Sequence, residues 1–375
     1  MAAEDRSDPD LCRIAQYMER AGFAPAVSIG VAVRRSDGWT LATGAAGTVS
    51  QGTSTQVFAN TPFDLASLTK PVVALTAAEL AKTSVIKLSE PLGTYLPWLQ
   101  SYPVAKVSIA QSLSHRTGLQ AHRILFGPCL QQRRVSKHSM LMQVAQSAAA
   151  EYGAKDLIAV RYPLYSDLGY LLVGAAIENR TGNRLDSVVV EHLLSGLFAP
   201  IYSSRQWRAR NANFMNEVAP TEHVPWRGGT LRGTVHDENA WAWAGYGTAG
   251  HAGLFGTVPG VLALGLSVID ALAGRASPVS RFAAHFCTAL REGGTLRAGF
   301  DGTSTRSSAG RLMSRLSFGH LGFTGTSLWC DPEHEVVITI LTNRVCPSRA
   351  NLRLPLARAE IHDQLFEWAI REKTH

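Results

Sequence analysis

The sequence predicts a mixed α/β fold: an antiparallel sheet built from both chain termini, flanked by helices, with a largely helical subdomain inserted in the middle. Three observations carry this. Residues 26–34 and 38–48 alternate as a hairpin around Ser36-Asp37-Gly38, and strand signals return only over 311–343. Between about 75 and 310 the signals are mainly helical, and the segment LPLARAEIHDQLFEWAIRE closes the chain as a helix. Strands at both ends with helices between them place 1–74 and 311–375 in one α/β sheet subdomain and 75–310 in a helical one, within a single domain spanning 1–375. A cleft between the two is where a ligand site is expected.

Taken in order, residues 11–22 have helical spacing, the hairpin follows, and a loop through 49–62 leads to FDLASLTKPVVALTAAELAK. A helix begins there. Asp64 is placed to cap it, Pro71 is tolerated only in its first turn, and Ala74, Leu75, Ala78 and Leu80 give an apolar body. Irregular inserts fall at 120–135 and 203–235. Tyr165, Ser166 and Asp167 stand immediately before the apolar helix LGYLLVGAAIENRTG, on the loop or first turn that feeds it. SFGHLGFTGTSLWCDPEHEVVITILTN reads as two strands joined by a turn. The first carries Gly319, Gly322 and Gly325, where a substrate backbone has room to approach, and the second is the β-branched run VVITIL.

Ser67 and Lys70 carry the chemistry. At the start of a helix their spacing puts hydroxyl and amine one turn apart on one face. Serine is a poor nucleophile until a neighbouring group takes its proton. A second S-x-x-K, Ser84-Val-Ile-Lys87, follows the helix and leads into the turn-rich SEPLGTYLP, so it reads as a structural loop. A helical Ser/Lys, then Tyr165-x-Asp167 on a loop, then a glycine-flanked His320 on a strand form an ordered set of three elements.

That order resembles the serine β-lactamase and penicillin-binding-protein superfamily, in its branch of class C β-lactamases, DD-peptidases and family VIII-type esterases. The resemblance extends over nearly the whole chain: SIGVAVRRSDGWTLATGAAG looks like the family's opening hairpin, QSLSHRTGLQAH like the turn after its second helix, and VHDENAWAWAGYGTAGHAGLFGT like the segment before its later helices. It implies Ser67 as nucleophile, Lys70 and Tyr165 as the groups that handle the serine proton, and backbone N–H groups of Ser67 and Phe323 as the oxyanion hole. Asp167 is expected to hold Lys70, with His320 and Gly322 at the substrate edge. Two departures matter. The second motif of the family ends in Asn, here Asp167. The third is Lys-Thr-Gly or His-Thr-Gly, here His320-Leu321-Gly322. A shifted register would make Phe323-Thr324-Gly325 the functional triplet instead. Leu321 lacks the hydroxyl that helps hold a substrate carboxylate, so small esters are expected before β-lactams and D-Ala-D-Ala peptides. His320 is expected to titrate between about pH 5.5 and 7.5 as a partner of anionic groups.

Composition bounds the rest. At 375 residues with 46% hydrophobic and 17% charged residues, this is an ordinary globular chain. The net charge of +7 is scattered over the sequence, with local clusters only at 131–139 and 203–210, so no nucleic-acid partner is expected. No apolar run approaches membrane-spanning length, and the acidic amino terminus lacks a leader pattern; no membrane partner and a cytoplasmic location are expected. Five scattered cysteines read as reduced thiols, and no cofactor or metal is expected. No G-x-S-x-G elbow occurs, which sets the α/β-hydrolases aside. Gly245-Tyr-Gly247-Thr-Ala-Gly250 follows no strand, so it reads as a close-packed loop rather than a dinucleotide site. His115 and His251 read as loop-holding residues. The expected partner is a small-molecule acyl substrate, with esterase chemistry first and β-lactamase or D-amino-acid peptidase/amidase chemistry as the alternative. A non-catalytic binding protein is the reading of another class. A covalent serine probe separates it from an enzyme.

Overall fold

The computed structural model describes residues 6–50, 52–148, 162–197 and 200–374. A seven-stranded sheet forms its centre. Its strands are β1 (Arg6–Ser7), β2 (Ala26–Arg35), β3 (Gly38–Gly47), β4 (Asp301–Gly302), β5 (Phe318–Gly322), β6 (Thr326–Asp331) and β7 (Val336–Thr342), in the spatial order β1-β3-β2-β7-β6-β5-β4. All neighbours are antiparallel except β1 and β3 at one edge. The two ends of the sequence meet in the middle of the sheet, where β2 and β7 pair from Val33↔Val336 to Val27↔Thr342.

Helices cover both faces. On one side lie α1 (Pro9–Arg20), started by the Asp8 side chain on the Asp10 and Leu11 N–H groups, and the carboxy-terminal helix Arg353–Thr374. Leu11, Ala15 and Met18 pack there with Ile29, Val31, Ile338, Ile340, Leu365 and Trp368. Apart from Ala15, each of these large apolar side chains contributes about 1.5–3 kcal/mol by leaving water. On the other side, helix Val258–Leu272 packs so closely that a Cβ on Gly30 would lie 2.3 Å from Val258, and one on Gly265 would lie 2.6 Å from Val337. With both faces covered, β7 is buried at every position, which explains its unbroken apolar run.

The helical body contains α2 (Thr69–Lys82) and α3 (Asp167–Thr181), both made mostly of buried residues. Gly250 lets the loop after helix Glu238–Ala244 touch α3: a Cβ there would stand 1.8 Å from the Tyr170 carbonyl. The G-x-G-x-x-G segment is therefore a packing loop. A small second sheet of Phe63–Asp64, Leu254–Gly256 and Ile201–Ser203 ties the segment before Ser67 to this body.

The carboxy-terminal strands differ from the sequence expectation. Three strands, not two, occupy 318–342, and the set begins earlier, with β4 pairing to Phe318 and Gly319. All six residues of β6 are buried, so it shows no polar alternation to mark it as a strand of its own. Gly319 and Gly325 do not make room for a ligand. Cβ atoms there would meet Trp329 at 2.4 Å and Thr342 at 2.2 Å, so protein fills both approaches.

Candidate active site

Ser67 sits on a 3₁₀ turn, Ala66–Leu68, that runs into α2. Asp64 binds this turn rather than the α-helix proper: its Oδ1 accepts the Ala66 N–H at 2.8 Å and its Oδ2 the His236 N–H at 2.7 Å. Ala66 has φ +47°, a left-handed conformation that costs a non-glycine residue energy and recurs at active sites. The turn is held from both sides. Leu65 N–H donates to the Leu254 carbonyl at 2.9 Å, and the Thr324 and Thr326 hydroxyls donate to the Asp64 and Leu65 carbonyls at 2.7 and 3.1 Å. Thr324 therefore points at backbone, away from any substrate. That disposes of Phe323-Thr324-Gly325 as the functional triplet and leaves Leu321, Gly322 and Phe323 on the cavity wall. Gly322 is needed for the contact, since a Cβ there would stand 2.5 Å from the Leu65 carbonyl.

Lys70, in the first turn of α2, is completely buried. Its three N–H groups reach Ser67 Oγ at 2.8 Å, Tyr165 Oη at 2.7 Å and Asp167 Oδ1 at 2.7 Å. Burial alone would lower the Lys70 pKa, but the charge of Asp167 and the Tyr165 oxygen overturn this and push it up to about 12. Burial works against the Asp167 anion as well, yet Lys70, His122 and His251 hold it well below the usual carboxylate range. Tyr165 is raised by burial and by the Asp167 charge, against the opposing pull of Lys70 and Ser67. The resting site thus holds an ammonium, a carboxylate and a neutral phenol.

Tyr165 and Asp167 are aimed by the segment 114–122. Leu164 N–H donates to the His115 carbonyl at 3.0 Å, Ser166 N–H to His115 Nδ1 at 3.0 Å, and Asp167 N–H to the Ala121 carbonyl at 3.0 Å. The His115 ring also stacks on the Tyr165 ring, 4.5 Å between centroids. His251 Nε2 lies 2.9 Å from Asp237 Oδ1, which also accepts the Ala240 N–H at the start of its helix. Both histidines hold loops, as the sequence reading has it.

His320 requires a correction. Its ring is buried, hydrogen-bonds through Nδ1 to the adjacent Leu321 carbonyl at 2.7 Å, and lies beside Tyr165 with centroids 5.9 Å apart. Burial, and then the Lys70 charge, push its pKa down to about 3. It is a neutral imidazole at physiological pH, and the expected titration near neutrality does not apply to it.

A cavity of about 530 Å³ opens over Ser67, Tyr165, Asp167, Gly322 and Phe323. It also exposes residues that the sequence motifs do not single out. His122 Nδ1 approaches Asp167 Oδ2 at 3.7 Å, and its pKa is raised by that carboxylate. Arg344, Arg349 and Arg358 also line the cavity. No spacing rule marks these four; only the fold brings them to Ser67. An acyl substrate entering here meets a serine hydroxyl, a proton-carrying Lys–Tyr pair and a strand end, which is the equipment for acyl transfer.

Comparison with known proteins supplies a family and a fold. The sequence profile of the family described as Beta-lactamase matches residues 13–362. An N-acetylmuramyl-L-alanine amidase of Bacillus subtilis (strain 168) is 27% identical over 312 residues, covering 76% of this chain and 68% of that protein. Among solved structures, EstCE1, described as a hydrolase with promiscuous acyltransferase activity, superposes with a TM-score of 0.69 at 17% identity, over 93% of this chain and 96% of its own. A class C β-lactamase from Rhodobacter sphaeroides also gives 0.69, at 14% identity, over 97% and 100%. At these identities the two structures speak for the fold.

Proposed function

Because this chain belongs to the β-lactamase family, we propose that it is a serine hydrolase that forms an acyl-enzyme on Ser67 and acts on small acyl esters. The observation that carries the reading is the convergence of Ser67, Tyr165 and Asp167 on the Lys70 nitrogen, all within 2.8 Å. A non-catalytic scaffold has no use for a buried charge pair aimed at a serine hydroxyl. In the fraction of molecules whose Lys70–Tyr165 pair has first released one proton to solvent, Ser67 Oγ attacks the carbonyl carbon and its proton passes into the site thus vacated. The same pair returns a proton to the departing alkoxide, and water then releases the acid from the ester on Ser67. The N–H groups of Ser67 and Phe323 serve the oxyanion.

Ester preference rests on the state of Lys70. An ammonium held by a carboxylate activates the serine weakly, which suits a leaving alkoxide better than an amide nitrogen. The amidase name of the Bacillus subtilis relative keeps amides as the competing class. The test is a matched set of p-nitrophenyl esters and p-nitroanilides, with a chromogenic cephalosporin alongside. Esters are expected to lead by at least ~10²-fold in kcat/KM, and Ser67→Ala to lower ester turnover by on the order of 10³-fold. Ester turnover that survives in Ser67→Ala overturns the mechanism, and faster anilides overturn the substrate class.

A further inference from the structure

The two oxygens of Asp167 face different neighbours. Oδ1 accepts from Lys70 at 2.7 Å, and Oδ2 lies 3.7 Å from Nδ1 of His122. An asparagine here, with a single acceptor oxygen, would serve only one of them. The chain is pinned on both sides of His122. The Ala121 carbonyl accepts the Asp167 N–H at 3.0 Å, and the Arg123 carbonyl accepts from Asn239 Nδ2 at 2.8 Å. Asn239 Oδ1 in turn accepts the Leu125 and Phe126 N–H groups at 2.9 and 3.2 Å. This places His122 on the wall of the cavity that Ser67 and Tyr165 also line, with 49% of its side chain exposed. A carboxylate beside one ring nitrogen fixes the tautomer: with Nδ1–H turned to Asp167, the lone pair sits on Nε2.

The chemistry leaves a task for such a group. Lys70 and Tyr165 both hold their protons at neutral pH. In an acyl-enzyme that has equilibrated with solvent, this pair can protonate the departing Ser67 oxygen but has no vacancy for a proton from water. We propose that His122, oriented by Asp167, is the general base that takes the proton of the water hydrolysing the Ser67 acyl-enzyme. This rests on the reading of Ser67 as nucleophile and divides the proton work within it. The water oxygen bonds to the acyl carbonyl carbon as its proton passes to His122 Nε2. The bond from that carbon to Ser67 Oγ then breaks, and Oγ takes a proton from the Lys70–Tyr165 pair. The product acid and the imidazolium each shed a proton; one refills the pair and the other goes to solvent. Asp167 raises the His122 pKa, and Asp237 and Glu238 add to this against the effect of burial. These three carboxylates are themselves bound, to Lys70, His251 and Arg349. The neutral imidazole that acts as base therefore becomes more abundant as pH rises through a value above the ordinary ~6.5.

The test reads deacylation alone. The protein is loaded with p-nitrophenyl acetate at about pH 9, where acylation is faster, then jumped in quenched flow to between about pH 6 and 9 with a dilution that halts loading. Loss of the acetyl mass is followed on intact protein, with Ser67→Ala as the blank. In the unmodified protein the rate constant is expected to rise with pH and level off. His122→Ala and His122→Gln are each expected to slow it by ~10²-fold or more at pH 7.5 and to leave a rate simply proportional to hydroxide. Acylation, read as p-nitrophenol release during loading, is expected to stay within about threefold in both. Glutamine can still donate to Asp167 but cannot accept a proton at neutral pH, so deacylation that survives in His122→Gln would reduce His122 to a positioning residue and overturn the assignment. Equal losses of acylation and deacylation would overturn it too, because they would mark a distorted site. If acetyl never appears on Ser67, the hydrolase reading fails and the assignment falls with it. If it appears on Ser67 and both His122 variants shed it at the unmodified rate, the His122 assignment fails alone.

Discussion

An ammonium has three N–H bonds, and Lys70 spends all three on Ser67, Tyr165 and Asp167. With its pKa pushed up to about 12, only about one molecule in 10⁵ carries the free amine at pH 7. Tyr165 is raised too, so whichever of the two takes the serine proton, the reactive form becomes more abundant with rising pH. The expected kcat/KM for an ester therefore climbs about tenfold per pH unit between pH 7 and 9 with no plateau. A bell centred near neutrality would contradict this charge assignment. Asp167 is the cause of the shift, and Asp167→Asn isolates it. The amide oxygen still accepts from Lys70, but the anion is gone, and burial, the largest influence on Lys70, then lowers its pKa. The rising limb is expected to move to lower pH, with at least a ~10-fold gain at pH 7. An unmoved limb would show that Asp167 does not govern the base.

At the scale of elements, the site depends on how closely α3 can lie against the loop ending at Gly250, because α3 carries Asp167 on its first turn. A methyl group at position 250 would have to displace the Tyr170 carbonyl, a backbone atom that cannot rotate aside. Gly250→Ala is expected to cost more than about 3 kcal/mol in urea unfolding, beyond the usual range for a single methyl. A loss below about 1 kcal/mol would mean that the loop gives way. Contacts of this kind mark what the sequence could and could not convey. The hairpin around Ser36-Asp37-Gly38, the closing helix, the S-x-x-K turn and the Tyr165–Asp167 loop follow from local periodicity and turn chemistry, and each is present. Strand β6 was hidden because both its faces are buried, which erases alternation. The neutral state of His320 and the placing of His122 and the arginines at the cavity were hidden for another reason. Burial and proximity are properties of packing between segments distant in sequence, and no window of residues contains them.

For the molecule as a whole, packing the sheet against the helical body on one side and the closing helix on the other buries neutral histidines at both contacts. His320 lies on β5 against Tyr165 of the helical body. His362 packs from the closing helix onto the sheet, with Nε2 3.1 Å from the Ser327 hydroxyl and Nδ1 2.7 Å from the Ser308 carbonyl. Burial pushes both down to about 3, with Lys70 and Arg358 adding to it, and burial likewise keeps His115 well below its ordinary range. In the unfolded chain these rings take up protons near pH 6.5, whereas in the folded protein they stay neutral until far lower pH. Between those values the unfolded state holds more protons, so stability is complete above about pH 6.5 and drains away as pH falls. For His320 and His362 together the slope approaches about 2.7 kcal/mol per pH unit, two protons at roughly 1.4 each, against a total stability of ~5–15 kcal/mol. Asp167 adds to the loss only below its ordinary pKa, and Lys70 matters only at alkaline pH, so neither masks the histidine window. Urea midpoints are expected to be level from pH 8 to 7, to fall steeply between about 6 and 4, and to flatten in that range when His362 is replaced by Gln. Midpoints that stay level down to pH 4.5 would mean that these rings are protonated in the folded protein, and the packing around them would then have to accommodate their charge.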